Sequence, residues 1–515
     1  MNKERVLKIL SISLILVFVL SIILSQKSYA NITTTNNTSN IIVNNIEAGA
    51  TVSLYQIATV KYDYKVNQPK EGYKWNDSVQ EWIAEKYPNY INSENFYKEV
   101  ESNSQEAQTF YDELIAAIKS EAIQILSYRD LQATGNAQYP VTENNLTGNV
   151  NFADVEMGTY LVLIEGGYMV YTPSVVNLIP RFDENTKQWV LEEQEVTVKA
   201  TNIGITKTVT DEEKVVDNYS TIDEITYTIE ADIPTYLQNS LSKNYYIADV
   251  LDPSLTIDIR SLIVYGLKDE QEEKLSRGYT GKFNTQIPNS SETAAFILEF
   301  DYDEINKYDE IKVVYSAKLN KNADLVVGPE GNKNYAYLNY SNNPYNETSL
   351  QTQRTDEVTV YTYGIEVKSV DKENTPLPGS EFTLYDEEGN EKYFIKGEDG
   401  VYYLSDPEEK GATTNLVVDE EGNLYLYGLD EGDYTIKQTK APEGYNLSNK
   451  SYEITLVDKE PDGVLDEDYS LIFSNTKGFT LPVTGGKGTA MIAGIGIMLV
   501  VTGIFILVYR TKKRK

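Results

Sequence analysis

Runs of alternating apolar and polar residues, built from Tyr, Val, Ile and Thr, recur along most of this 515-residue chain. Ile225-Thr226-Tyr227-Thr228-Ile229-Glu230 and Ile311-Lys312-Val313-Val314-Tyr315 are two of them. Successive side chains of a strand point to opposite faces, so a period of two buries one face and solvates the other. β-Branched and aromatic residues suit such a half-buried pleated surface, and the chain carries 41 tyrosines. Turn signals divide the runs. Asp386-Glu387-Glu388-Gly389-Asn390 and Asp419-Glu420-Glu421-Gly422-Asn423 read as hairpin loops, with glycine supplying positive φ. Many short strands with regular turns predict an all-β chain of tandem immunoglobulin-like sandwiches.

One stretch breaks the period. Between Ser104 and Leu126 the apolar residues Phe110, Leu114, Ile118 and Ile123 fall near helical spacing, with Glu106, Asp112 and Lys119 between them. This predicts a helical insertion in the first domain, packed through one face.

The two ends carry addresses. Lys3, Glu4, Arg5 and Lys8 precede an apolar run from Ile9 to Leu24, which closes on Ser28-Tyr29-Ala30. The small residues at the two cleavage positions, and the polar run Asn31 to Asn40 after them, read as a secretory signal peptide cut after Ala30 rather than a retained anchor. At the other end Leu481-Pro482-Val483-Thr484-Gly485 precedes an apolar stretch, Ala490 to Tyr509, then the basic tail Arg510 to Lys515. The stretch has the length of one bilayer-spanning helix, and the basic tail is expected to stay cytoplasmic. Motif, span and tail in that order predict an exported protein that a sortase attaches to a Gram-positive cell wall or pilus.

Strand-rich runs restart at Ile203-Gly204-Ile205-Thr206-Lys207 and at Tyr363-Gly364-Ile365. The predicted organisation is therefore a signal peptide (1–30), three domains (31–201, 202–362 and 363–477) and a sorting segment (478–515). The short linkers suggest an elongated rod.

Composition removes whole classes of function. With no His and no Cys, most nucleophile–base pairs and zinc sites are unavailable. No metal, no cofactor and no enzymatic activity are expected. Carboxylate pairs such as Asp301 and Asp303 are commonplace in so acidic a chain. The net charge of −33 argues against nucleic acid as a partner, because a phosphate backbone calls for a basic face.

Three groups of residues resemble a known family. Gly379-Ser380-Glu381-Phe382-Thr383-Leu384-Tyr385 and the later Tyr434-Thr435-Ile436-Lys437-Gln438-Thr439-Lys440-Ala441-Pro442-Glu443-Gly444-Tyr445 look like a collagen-adhesin B-type sandwich, the second segment being its "E-box". The stretch from Lys207 to Asn334-Tyr335-Ala336-Tyr337-Leu338-Asn339-Tyr340-Ser341-Asn342-Asn343-Pro344 is similar to the middle domain of SpaA-type major pilins. Ser53-Leu54-Tyr55-Gln56-Ile57 and Phe152-Ala153-Asp154-Val155-Glu156-Met157-Gly158-Thr159-Tyr160-Leu161 are similar to their N-terminal domain.

The resemblance implies a shaft subunit. A sortase would cleave between Thr484 and Gly485, hold the Thr484 carbonyl as a thioester, and pass it to a lysine of the next subunit or to peptidoglycan. Sortase, other pilin subunits and peptidoglycan are then the partners, with host surface ligands a further class. Family shafts carry the acceptor lysine in a Val-x-Val-Tyr-Pro-Lys motif. Here the matching stretch, Trp189 to Thr201, places Thr201 at that position and Lys199 two residues early. Lys199 is the candidate acceptor. A minor pilin or single-chain adhesin fixed directly to the wall is the alternative.

The resemblance also implies an internal Lys–Asn isopeptide bond. Lys207 shares strand parity with Ile205 and Val209, and Asn334 with Ala336 and Leu338, so both should point inward. The family's acid position falls on Asp249, and Asn332 is the fallback for Asn334. Taken singly, each is as well read as a surface lysine, a turn asparagine and a hairpin aspartate. In the third domain Ser369 stands where the lysine belongs and Gln438 where the E-box glutamate belongs, leaving only Asn475. Lys368 should face away, barring a β-bulge. One crosslink is expected in the second domain and none in the third.

Overall fold

The computed structural model describes residues 37–63, 68–88, 105–125, 128–134, 148–210, 214–269, 271–322, 324–466, 469–478 and 488–513. Ala30 with the segment before it, and Leu481 to Gly485, lie outside the described residues.

Strands dominate, and they fall into successive pairs of facing sheets. In the first pair, Thr38–Ile46 lies between Gly148–Glu156, antiparallel, and Gln194–Thr197, parallel. The opposing sheet is built on Thr51–Asp63 and Gly158–Glu165, flanked by Gln68–Trp75, Tyr128–Gln132 and Ser174–Leu178. Ile41, Val43, Val52, Leu54, Phe152 and Val162 fill the space between.

That second sheet is buried on both faces, which is why Gly158–Glu165 is apolar almost throughout instead of alternating. Its outer face is covered by helices. The predicted helical insertion is present as Gln105–Lys119, and Phe110, Leu114 and Ile118 pack with Ile57, Leu161 and Leu163. A second helix, Asp77–Lys86, lies outside the stretch of helical spacing. Asn76 caps it by accepting from the Ser78 amide at 3.3 Å, and Asp77 and Lys86 complement the helix dipole at the two ends. Leu237 and Tyr345, from beyond residue 202, join the same apolar cluster.

In the next pair of sheets, Ile205–Val209, Ile225–Asp232, Glu310–Leu319 and Leu255–Lys268 pair in that order. They face a sheet in which Val358–Tyr361, Asn332–Tyr340, Tyr245–Leu251 and Thr293–Phe300 are neighbours. Ile225–Asp232 alternates buried and half-buried along its whole length, as its sequence demands. Tyr227, Ile229, Ile247, Phe296, Val313, Tyr315, Ala336 and Leu338 form the core.

The last pair of sheets packs Ile365, Val367, Phe382, Leu384, Leu426, Ile436 and Phe473. Both predicted glycine turns are present, with Gly389 at φ +82° and Gly422 at φ +75°. The Gly389 turn closes a short antiparallel pairing, with Tyr385 bridged to Glu391 and the Lys392 amide donating to the Leu384 carbonyl at 2.9 Å, before the chain crosses to the facing sheet. Glu381–Tyr385 and Tyr393–Lys396 belong to different sheets, as do Leu416–Val417 and Asn423–Leu429. In a sandwich the same tight turn can carry the chain across to the facing sheet, and residue type alone does not distinguish the two uses. The terminal helix Gly488–Lys512 is apolar, and its Met491–Lys512 part is long enough to cross a bilayer.

Candidate functional site

Lys207 sits third in Ile205–Val209, with the half-buried Ile205 and the buried Val209 on its own face of the strand. Asp249 lies on Tyr245–Leu251, sharing a face with the buried Tyr245 and Ile247. Asn334 lies on Asn332–Tyr340, the immediate neighbour of that strand, in register with Leu251. Strand parity therefore turns one lysine from the first sheet, and an aspartate and an asparagine from the second, into the same core. All three are buried, and the Lys207 and Asp249 side chains have no exposed surface.

The Lys207 ammonium nitrogen donates to Asp249 Oδ1 and, at 2.5 Å, to Asn334 Oδ1. A fourth residue joins them. The Tyr315 hydroxyl accepts from Lys207 Nζ at 2.9 Å and from Asn334 Nδ2 at 2.6 Å, and donates to Asp249 Oδ2 at 2.8 Å. Tyr227 stacks on Tyr315 with centroids 5.5 Å apart, and Lys207 Nζ lies 5.4 Å and 5.3 Å from the two ring centres. Tyr315 is not among the residues expected from the sequence. Its parity with Ile311 and Val313 marks it as inward-facing, and a buried hydroxyl needs a partner, but neither says which partner.

Burial works against both charges. It pushes the Lys207 amine down to about 8, against the opposing pull of Asp249. It holds the Asp249 carboxyl above the usual carboxylate range, although Lys207 and Tyr315 favour the ionised form. Both shifts run toward the neutral pair, an amine beside a carboxylic acid. A neutral buried amine in contact with a carboxamide is a nucleophile with its electrophile already in place.

Asn332, the fallback, is committed elsewhere. Its Oδ1 accepts from the Val326 amide at 3.1 Å, and its Nδ2 donates to the Val326 and Val360 carbonyls.

In the third pair of sheets a neutral cluster occupies the corresponding place. Ser369 is buried on Tyr363–Val370 and shares a hydrogen with Ser380 at 2.7 Å. Asn475 Nδ2 donates to Ser369 Oγ at 3.0 Å, while Gln438 Nε2 donates to Asn475 Oδ1 at 2.9 Å. Every member is satisfied and none is ionisable, so the cluster packs but offers no amine. Lys368, one residue away, is exposed.

Lys199 is exposed between Gln194–Thr197 and Ala200–Thr201, and its carbonyl accepts from the Thr172 amide at 3.0 Å. Thr201, at the position where the family motif carries its lysine, is half-buried and pairs with Val170. Among the described residues no cluster of carboxylates is arranged to hold a metal ion.

Residues 364–467 match the family described as the SpaA prealbumin-like fold domain. The trypsin-resistant surface T6 protein of Streptococcus pyogenes serotype M6 is 29% identical over 250 residues, 45% of this chain. The chain spans 41% of the length of that curated relative. Among solved structures, the T6 backbone pilin of serotype M6 Streptococcus pyogenes is 24% identical, with a TM-score of 0.56 over 82% of this chain and 80% of its own. That structure is described as modular and three-domain. The likeness establishes the fold: this chain is a tandem array of pilin-type β domains.

Proposed function

We propose that this chain is a structural shaft subunit of a sortase-assembled pilus, exported, polymerised covalently through its neighbours and finally fixed to peptidoglycan at the cell surface. Its domains would be 31–201, 202–362 and 363–477. The observation that carries the reading is the buried Lys207–Asp249–Asn334 cluster, because it joins the first strand of the middle domain to one of its last. A subunit under tension between its two ends gains most from a covalent tie at that place.

The chemistry follows from the contacts. A proton passes from the Lys207 ammonium to Asp249, leaving a neutral amine and a carboxylic acid. The amine attacks Cγ of Asn334, and the acid supports the negative charge that develops on Oδ1. Tyr315 lies between the Asp249 carboxyl and Asn334 Nδ2, so its hydroxyl can relay the proton that the departing nitrogen needs. The attacking nitrogen gives up a proton as the amide forms, the leaving nitrogen gains one, the Cγ–Nδ2 bond breaks, and an amide joins Lys207 to Asn334. The leaving nitrogen departs as ammonia with Asp249 left protonated, or takes that last proton with it as ammonium and returns Asp249 to the carboxylate. The chain acts once on itself and is otherwise a substrate: a sortase would open the Thr484–Gly485 bond.

Lys199 is the proposed acceptor for the Thr484 carbonyl of the next subunit, since it is exposed near the end of the stretch that matches the family motif. Lys199→Ala should collapse the ladder of boiling-resistant, high-mass species in a gel of wall extract to monomer. An unchanged ladder would move the acceptor to another lysine, and the absence of any ladder from the parent would instead favour an adhesin fixed directly to the wall.

A further inference from the structure

The segment after Val216–Asn218 leaves its own sandwich and enters the next one. Val216–Asn218 runs parallel to Val358–Tyr361, and the Tyr219 amide donates to the Tyr361 carbonyl at 3.0 Å. A tight turn follows, in which the Ser220 amide and hydroxyl both donate to Asp223 Oδ2, at 2.8 Å and 2.5 Å. The turn projects Thr221 between the strands of the third domain. Thr221 is fully buried; its amide donates to the Gly428 carbonyl at 3.0 Å and its hydroxyl to the Leu404 carbonyl at 2.6 Å. Ile222 packs on the hydrophobic core of the third domain. In the other direction, Tyr403 of the third domain is part of the core of the second.

The receiving surface is shaped for this insertion. Gly428 has φ +85°, and a Cβ there would lie 2.5 Å from Thr221 Cγ2. Glycine is required at that point both by conformation and by the close approach of Thr221. The Tyr363 hydroxyl donates at 2.8 Å to Asn218 Oδ1, tying the base of the turn to the first strand of the third domain. The contacts come from a loop about 140 residues before the covalent junction between the two domains, so the third domain is gripped at two points.

We infer that residues 219–222 form a wedge through which the second domain stabilises the third, making the two a single mechanical unit. The coupling needs no covalent bond in either domain. It gives the third domain, whose own polar cluster is neutral and uncrosslinked, a support beyond its own core.

Hydrogen exchange of the full chain in detergent, read peptide by peptide, tests this. Thr221→Arg cannot fit the filled slot, and it alters no residue of the third domain. It should speed exchange in Tyr363–Val370 and Asn423–Leu429 by at least about tenfold, while Tyr245–Leu251 and Asn332–Tyr340 keep their protection. Ile222→Ala, a smaller change, should give the same pattern at roughly fivefold and decides the matter if the arginine disturbs the second domain. Third-domain exchange within about twofold of the parent in both variants would overturn the inference, as would equal loosening of both domains by Ile222→Ala.

Discussion

Lys207→Met is expected to lower the thermal midpoint of the second domain by roughly 10–20 °C. Methionine keeps the length and the apolar stem, so the change removes the amine without leaving a buried unpaired cation. What is lost is the tie. Lys207 and Asn334 are 127 residues apart in sequence. In the chain-entropy picture, closing a loop of that length is worth about 5 kcal/mol, and each kcal/mol moves the midpoint of a domain this size by about 2–4 °C. Calorimetry or circular dichroism of the full chain in detergent measures the shift. A midpoint within about 3 °C of the parent would mean that the middle domain holds together by packing alone.

The second large effect concerns attachment. Replacing Leu481 to Gly485 with alanines should remove the protein from the covalently bound wall fraction and leave it in membranes and medium. On the proposed reading, Thr484 supplies the carbonyl that a sortase would take. A proline ring restricts the backbone it belongs to, and a glycine after the bond to be cut brings no side chain into an enzyme's cleft, so this residue order suits such a substrate. The apolar helix after the motif would still hold the chain at the membrane, so mislocalised protein should be extractable with detergent. Protein that stays in the wall after boiling in detergent would refute the assignment.

The strand-rich architecture was legible because alternation over eight residues, as in Ile225–Asp232, has few other readings. The Lys207–Asn334 face was legible for the same reason: parity fixes which side of a strand a residue takes. Tyr315 escaped because a tyrosine among 41 carries no individual signal until the facing sheet brings Asp249 and Asn334 to its hydroxyl. The crossing of the chain to the facing sheet after the Gly389 and Gly422 turns escaped because positive φ specifies a reversal and not the sheet to which the next strand belongs. The Asp77–Lys86 helix is short and weakly patterned, and its partners Phe110 and Leu114 lie some thirty residues further on. The wedge at Thr221 is a property of two domains together, and no local pattern announces it.

One internal amide is expected between Lys207 and Asn334, made with the help of Asp249, and none in the third domain. Intact-mass measurement of the full chain, followed by protease digestion and sequencing of any branched peptide, tests it most directly. The expected result is a chain lighter by one ammonia than the residues it retains after processing, a branched peptide joining the Lys207 and Asn334 segments, and the full mass of the retained residues for Asp249→Ala. A chain of unaltered mass, or a missing ammonia that maps to Asn475 instead, would contradict it.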